Sequence, residues 1–374
     1  MIHVSSYGEL EQAKPIIAEL KKQYPDIHIH LTFFSPSGYE NSIDFYKLPD
    51  IITYLPFDSV SEVRWFLDIT KPNLVLFVRY DLWHNFVHEV HNRNIPMMLF
   101  SATFDASAGK QIPVIHTLYC NTYSFINTIC TINESDKKAI EQFATHAKKI
   151  VVAGDTRCDQ VIARRENALE QQENILPDNL LQKITTDGSK VFIAGSVWEN
   201  DDAVILKSVT KVIENGEKLI TIIVPHEVDK GRIDSLLAKF RSTAIILSEI
   251  GSYKGEKIII VDSIGKLFTL YRSAAFAYIG GGFGAGVHNT LEPAVWGVPS
   301  IVGPNHRRSK EVGAIIGLGG AVEIHNAHEF EDVFDNWLVS DMARNVAAAT
   351  AKNYVYASQG ATGKIMAEIS SLQW

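Results

Sequence analysis

One pattern constrains this chain more than any other. Short runs rich in Val, Ile, Phe and Thr alternate with longer stretches whose apolar residues fall at helical spacing, and the alternation starts afresh half-way along. Strand, helix, strand at this spacing means βαβ units, and such units build parallel sheets covered on both faces. In the first half, strands are expected at Ile2–Ser5, Ile27–Phe34, Asp50–Tyr54, Leu74–Val78, Met97–Ser101 and Ile150–Ala153, with helices over Glu9–Gln23, Ser61–Ile69 and Leu82–Arg93. In the second half, strands are expected at Lys190–Ala194, Leu219–Val224, Ala244–Leu247, Lys257–Val261, Ala274–Ile279 and Ser300–Val302. Helical patterns over Glu329–Trp337 and Asp341–Leu372 close the chain. We read two doubly wound α/β domains facing a cleft, 1–165 and 190–340, with the polar stretch 166–189 as linker. In such domains ligands sit at the carboxyl ends of the strands.

Composition narrows the function. The 374 residues are 46% hydrophobic and 21% charged, enough apolar matter for a core in each half, so disorder is excluded as the main state. Lys and Arg number 35 against 43 Asp and Glu, and the resulting net charge of −8 argues against a dedicated nucleic-acid binder. Cys120, Cys130 and Cys158 form no CxxC pair, which points to a reducing compartment and away from disulfides or structural zinc. No apolar run reaches about 18 residues, so no membrane-spanning helix is expected. Met1–Ser6 already reads as a strand, so no signal peptide is expected either.

The densest motif is Tyr278-Ile-Gly-Gly-Gly-Phe-Gly-Ala-Gly-Val-His-Asn-Thr-Leu-Glu-Pro293. A strand runs into a glycine loop, and a helix is expected from Asn289 to Gly297. Glycines let backbone approach a ligand closely, and a helix N-terminus offers N–H groups to an anion. Glu292 suits ribose hydroxyls, but Asn289 and Glu292 also have capping-box spacing. Gly280, Gly282 and Ala285 fit a dinucleotide fingerprint, yet Ser300-Ile-Val-Gly-Pro304 stands where the ribose-binding acid belongs, and no GxxxxGK[ST] occurs. Nicotinamide dinucleotides and P-loop chemistry are therefore poor readings.

Ser196-Val-Trp-Glu199 and Ser6-Tyr-Gly-Glu9 repeat one device. Each has capping-box spacing, and each places a hydroxyl and a carboxylate at a strand end. His84, His88 and His91, with Asp81 one turn before, have chelating spacing on a helix. They flank its apolar stripe of Trp83, Phe86, Val87 and Val90, so a solvated flank is expected instead of a metal site. His28 and His30 share a strand face and receive no role. Gly154–Asp159 and Pro225-His-Glu227 also follow strands. Arg157 and His226 suit phosphate or carboxylate, or else a loop ion pair and a solvated ring. No Asp-x-Asp is present to hold a metal for sugar transfer.

These residues resemble one family, the Kdo transferases of lipopolysaccharide synthesis, which move 3-deoxy-D-manno-octulosonic acid (Kdo) from CMP-Kdo to a lipid A precursor. The matching stretches are Ser5–Gln12, Leu31–Glu40, Tyr80–Asn85, Gly154–Asp159, Pro225–Glu227, Gly280–Gly282, His288–Pro293 and Gly303–Asn305, in the family's order. The resemblance implies two Rossmann-like domains of the GT-B glycosyltransferase class, no cofactor, and no metal in the chemistry. It implies an acceptor-binding first domain and a second domain holding CMP-Kdo. It also implies a final helix, 341–374, that returns to the first domain through Met342, Val346, Ala349, Ile365, Ile369 and Leu372. Glu9 matches the general base, with Asp81 as a further catalytic candidate. Arg157, Ser196, Glu199, His226, Gly281, Gly282, His288, Asn289 and Glu292 are the expected donor-binding residues. The partners implied are CMP-Kdo, a lipid A precursor and the cytoplasmic face of the bacterial inner membrane, contacted peripherally.

The chain departs from the family in starting at its first strand, without the usual apolar anchoring segment, and in carrying Asp81 and His84 where Glu and Pro are usual. No basic surplus marks the first half, so a platform for an acidic lipid is expected only as a local patch such as Lys14, Lys21, Lys22 and Arg79. Two other functions fit the same motifs: a GT-B transferase using a UDP-sugar, and a non-catalytic nucleotide- or sugar-binding relic.

Overall fold

A computed structural model describes residues 1–40, 48–104, 113–142, 144, 147–172, 174–307 and 309–374. The chain divides into two compact units, Met1–Gln160 with Ser358–Trp374, and Val161–Ala357. In each unit the described strands form one seven-stranded sheet, and every pairing among them is parallel. The α/β expectation is met.

The first sheet contains β1 (Ile2–Val4), β2 (His30–Phe33), β3 (Ile51–Tyr54), β4 (Val75–Val78), β5 (Met97–Ala102), β6 (Thr128–Thr131) and β7 (Lys149–Val152), in the order β3-β2-β1-β4-β5-β6-β7. Its helices are α1 (Tyr7–Gln23), α2 (Pro36–Glu40), α3 (Val60–Thr70), α4 (His84–Asn92), α5 (Pro113–Ser124), α6 (Glu134–Glu141) and the start of α7 (Thr156–Glu170). Side chains alternate between the two faces with the two-residue period of a strand. On β4, Leu76 and Val78 join the core under α1, while Val75 and Phe77 join the core with Val63, Phe86 and Val87 from α3 and α4.

The second unit holds α8 (Asp178–Asp187), β8 (Lys190–Val197), α9 (Glu199–Glu214), β9 (Leu219–Pro225), α10 (Lys230–Phe240), β10 (Ala244–Ile246), β11 (Ile258–Ile260), α11 (Leu267–Leu270), β12 (Phe276–Ile279), α12 (Leu291–Trp296), β13 (Ser300–Val302), α13 (Lys310–Leu318), β14 (Ala321–Glu323), α14 (Ala327–Val339) and α15 (Asp341–Ala357). Its strand order is β10-β11-β9-β8-β12-β13-β14. The first strand of each unit lies mid-sheet, and the order switches direction beside it, between β1 and β4 and between β8 and β12; in the second sheet β11 also inserts between β9 and β10. That switch point is where the two neighbouring crossovers leave to opposite sides and open a crevice at the strand ends.

Three expectations need revision. The stretch 166–189 is not a bare linker: it completes α7 and forms α8 within the second unit, with Leu180 buried. The last helical pattern is two helices. α15 stays in the second unit, burying Ala347, Ala351 and Val355 and leaving Met342 and Val346 exposed. α16 (Ala361–Ser371) belongs to the first unit, where Ile365, Met366 and Ile369 pack with Leu10, Ala13 and Ile17. The break falls at Gly360, whose φ of 101° suits a residue without Cβ. Finally, Lys14, Lys21 and Lys22 each pair with an acid, Glu11, Asp50 and Glu19, so they form no free basic patch.

Asp159 fixes the start of α16. Its carboxylate accepts from Gly360 N and Thr362 N at 2.7 Å and from the Thr362 hydroxyl at 2.6 Å. Asp159→Ala removes this cap. Chemical denaturation is expected to show a loss of about 1–2 kcal/mol.

Candidate active site

In the first unit, the switch point carries two carboxylates. β1 ends at Val4, and α1 begins two residues later with Ser6 as its N-cap. Glu9, in the first turn, is buried and accepts a 2.6 Å hydrogen bond from Ser5 N–H. The expected capping box is half formed, because the Ser6 hydroxyl makes no capping bond. Burial pushes the Glu9 carboxyl up to about 7. The Ser5 and Ser6 amides pull the other way, the charge of Asp81 adds to the rise, and Arg79 opposes it.

Asp81 comes from the loop after β4, which turns sharply at Arg79 with φ 69°. Its Oδ2 accepts from His3 Nε2 and from Trp83 Nε1, both at 3.1 Å. His3 is buried on β1, and its Nδ1 lies 2.9 Å from the Thr32 hydroxyl of β2. Burial alone would raise the Asp81 carboxyl, but His3, Trp83 and Ser5 together hold it below its ordinary value. Two neighbouring carboxylates are thus pushed in opposite directions. Such a pair divides acid and base roles in many active sites.

Arg157 lies in this first unit and turns onto buried Asp155, with Nη2 2.6 Å from Oδ2. Asp155 also accepts from Gln12 of α1. The loop ion pair is the arrangement observed. The α4 histidines do not converge on a metal. His84 bonds the Thr122 hydroxyl at 2.7 Å, and His88 and His91 pack on Phe125.

In the second unit, the ends of β8, β9 and β12 bring a different set together. Ser196 bulges out of β8 with φ 53°, and its carbonyl occupies the space a Cβ at Gly280 would take, 2.2 Å away. A Cβ at Gly282 would stand 2.5 Å from Gly303 Cα, so this glycine is required by backbone packing against the β13 end. Gly281 has φ 90° and donates its N–H to Asp201. Glycines 280–282 therefore serve the fold itself.

The second capping box is displaced. Trp198, not Ser196, precedes α9, and Asp201, not Glu199, accepts from the N-cap amide, at 2.8 Å. Glu199 is exposed. Fully buried Asp201 also accepts from Tyr278 Oη at 2.6 Å, tying β12, the glycine loop and α9 together. Around this anchor three rings meet: Trp198 stacks on His226 at 4.1 Å, and His288 lies against His226 at 4.3 Å with the two planes tilted by 36°. Burial lowers both histidines, His288 to about 4, so each is neutral at pH 7. His226 is a neutral ring with an N–H to offer, and it is packed between two other rings, not left as a solvated loop side chain.

α12 starts later than expected, with Thr290 as N-cap. Asn289 Oδ1 accepts from Leu291 N–H, and Glu292 points to Arg164 at 2.9 Å instead of capping. Arg164 itself lies over the Phe268 ring.

Residues 1–160 match the family model described as 3-deoxy-D-manno-octulosonic-acid transferase (kdotransferase). A relative from Haemophilus influenzae, a 3-deoxy-D-manno-octulosonic acid transferase, is 24% identical over 87% of this chain and 75% of its own length. One of the same name from Aquifex aeolicus is 26% identical over 88% and 82%. Among solved structures, UDP-GlcNAc 2-epimerase from Neisseria meningitidis, bound to UDP-GlcNAc, superposes with a TM-score of 0.68 at 14% identity, covering 98% of both chains. That likeness is one of fold, the GT-B architecture of two Rossmann-like units. Taken with the motifs at both switch points, these matches show a chain whose first 160 residues carry the Kdo transferase domain and which is similar over most of its length to Kdo transferases, and so a glycosyltransferase.

Proposed function

We propose that this chain transfers Kdo from CMP-Kdo to a lipid A precursor with inversion, as part of lipopolysaccharide synthesis. The observation that carries the reading is Glu9: a buried carboxylate at a switch point, raised to about 7. A sugar hydroxyl is a poor nucleophile at neutral pH, and a base is most effective when its pKa lies near the working pH. In this mechanism the acceptor oxygen bonds to the anomeric carbon from the face opposite the leaving group, hence the inversion. The anomeric C–O bond breaks and its electron pair leaves on the phosphate of CMP. Glu9 takes the hydroxyl proton. Asp81 stays ionised throughout and keeps Glu9 basic.

The second unit holds the donor in this reading. His226 and His288 offer N–H groups to the phosphate, and binding the anion raises both toward the protonated form. Glu292, oriented by Arg164, accepts from ribose hydroxyls. Asn289 and the backbone of Gly281 and Gly282 shape the pocket, with Ser196 and Glu199 at its β8 side.

A lipid acceptor fits a further feature of the first unit. A cavity of about 980 Å³ opens beside β3 and α3, and exposed Tyr54, Phe57, Trp65 and Ile69 line it. None of the Glu9 cluster borders it apart from neighbours on the same strands. Apolar surface of this extent suits acyl chains or a bilayer surface. No described helix is long and apolar enough to cross a membrane, and the attachment proposed is peripheral, on the cytoplasmic face of the inner membrane. Phe57→Asp with Trp65→Asp is expected to weaken sedimentation with lipid vesicles several-fold and leave CMP binding intact.

Glu9→Gln keeps shape and hydrogen bonds but removes basicity. Turnover is expected to fall about 100-fold or more with donor affinity nearly unchanged, and parent kcat/KM is expected to decline below pH 7. The same variant reports on linkage. Folded Glu9 binds its proton more tightly than in the unfolded chain, so parent stability falls as pH rises from 4.5 to about 7. Across that window the Gln variant gains stability relative to the parent. Turnover within a few-fold of the parent would reduce Glu9 to a capping residue. Calorimetry tests the donor: CMP is expected to bind and UDP to bind far more weakly. The reverse order would favour the UDP-sugar reading, and CMP binding without any transfer in detergent micelles would favour the relic.

A further inference from the structure

The first-unit switch point poses a question that the family assignment does not answer. Two carboxylates, Glu9 and Asp81, share one site, and only one of them is to receive the proton of the acceptor. Which one does is decided by the donors around each. Glu9 has backbone amides. Asp81 Oδ2 has two ring N–H donors, from His3 and Trp83, at 3.1 Å each, and the Ser5 side chain besides. Ser5 joins the two groups physically: its amide serves Glu9 and its side chain serves Asp81.

We propose that His3 is a positioning residue of the reaction: its Nε2–H holds Asp81 as a carboxylate, so that the acceptor's proton goes to Glu9 and not to Asp81. This rests on the reading of Glu9 as the base.

The proton inventory of His3 supports the assignment. An ionised carboxylate only accepts, so the contact with Asp81 requires a hydrogen on Nε2. The other nitrogen, Nδ1, faces the Thr32 hydroxyl at 2.9 Å, a group able to donate or to accept. A neutral His3 takes the hydroxyl's hydrogen at Nδ1, and a protonated His3 gives its own. In both charge states Nε2 keeps its hydrogen on Asp81. Thr32 is fully buried on β2 and His3 on β1, and strand pairing in register, His3 opposite Thr32, fixes the ring. Among the described residues, the titratable and charged groups acting on this pair are His3 from β1, Glu9 from α1, and Arg79 and Asp81 from the loop after β4. Trp83, Ser5 and Thr32 contribute neutral donors or acceptors. On the next turn of α1, Gln12 leads to the separate Asp155–Arg157 pair.

The test compares pH profiles of kcat/KM, with CMP-Kdo and a lipid A precursor, for the parent, His3→Asn, His3→Gln, Asp81→Asn and the His3→Asn/Asp81→Asn double variant. The Asn amide can reach the Thr32 hydroxyl but stops short of Asp81; the Gln amide reaches Asp81. With His3→Asn, Asp81 competes for the proton and Glu9 ionises more easily, so the acid limb moves about one pH unit lower. Asp81→Asn moves it in the same direction. The double variant shows no further shift, because both changes remove one charge acting on one base. His3→Gln keeps the parent limb. An unmoved limb in His3→Asn, or a second, additive shift in the double variant, overturns the proposal. If His3→Asn fails to fold, the Gln variant decides alone: a limb displaced like that of Asp81→Asn overturns it. Failure of the underlying reading is separate, since it appears as retained turnover in Glu9→Gln.

Discussion

Every described strand in these two sheets runs the same way as its neighbours, and that single constraint determines where chemistry can sit. Parallel pairing sends all carboxyl ends to one edge, and helices must cover both faces. The loops at that edge are the parts of a buried sheet most free to carry polar side chains. Where the strand order reverses, neighbouring loops part and leave room for a ligand. Glu9 and Asp81 follow β1 and β4, which flank the reversal in the first sheet. Ser196 and the glycine loop follow β8 and β12, which flank it in the second. Four of the motifs that stand out in the sequence are thus chain segments that this topology makes available.

Burial is the second determinant. A surface glutamate would be ionised and weakly basic at pH 7. Placed in the first turn of α1 under a full core, Glu9 loses hydration that two amide donors only partly restore. The cost falls on stability and the gain on reactivity, a trade seen at many active sites. His226 and His288 follow the same logic with opposite sign. Withdrawn from water and packed against one another, they give up their charge and keep their donors.

How much of this could be read from the sequence depends on range. Ser6-Tyr-Gly-Glu9 and Gly280–Gly286 were legible because strand, turn and helix are adjacent in the chain. β6 was not, since Thr128-Ile-Cys-Thr131 is short and half polar, although all four residues are buried in the sheet. Capping was misplaced at α9 because the bulge at Ser196 uses up two residues before the helix begins, moving the N-cap to Trp198 and the acid to Asp201. The partners that tune the site are distant: His3 meets Asp81 across 78 positions, Tyr278 meets Asp201 across 77, and Arg164 meets Glu292 across 128. No local pattern announces them. Asp201 did leave a trace, an acid three residues after Trp198.

The central claim is that the fold makes Glu9 a base poised near neutral pH. Its most direct test is a carbon-13 NMR titration of the glutamate side-chain carboxyls, with the Glu9 resonance assigned by its loss in Glu9→Gln. The account predicts a midpoint near pH 7, about 7 against an ordinary value of 4.5. A Glu9 midpoint at or below 4.5 would contradict it, because a carboxylate so easily ionised is solvated or fully paired and has no driving force to take a proton from a sugar hydroxyl.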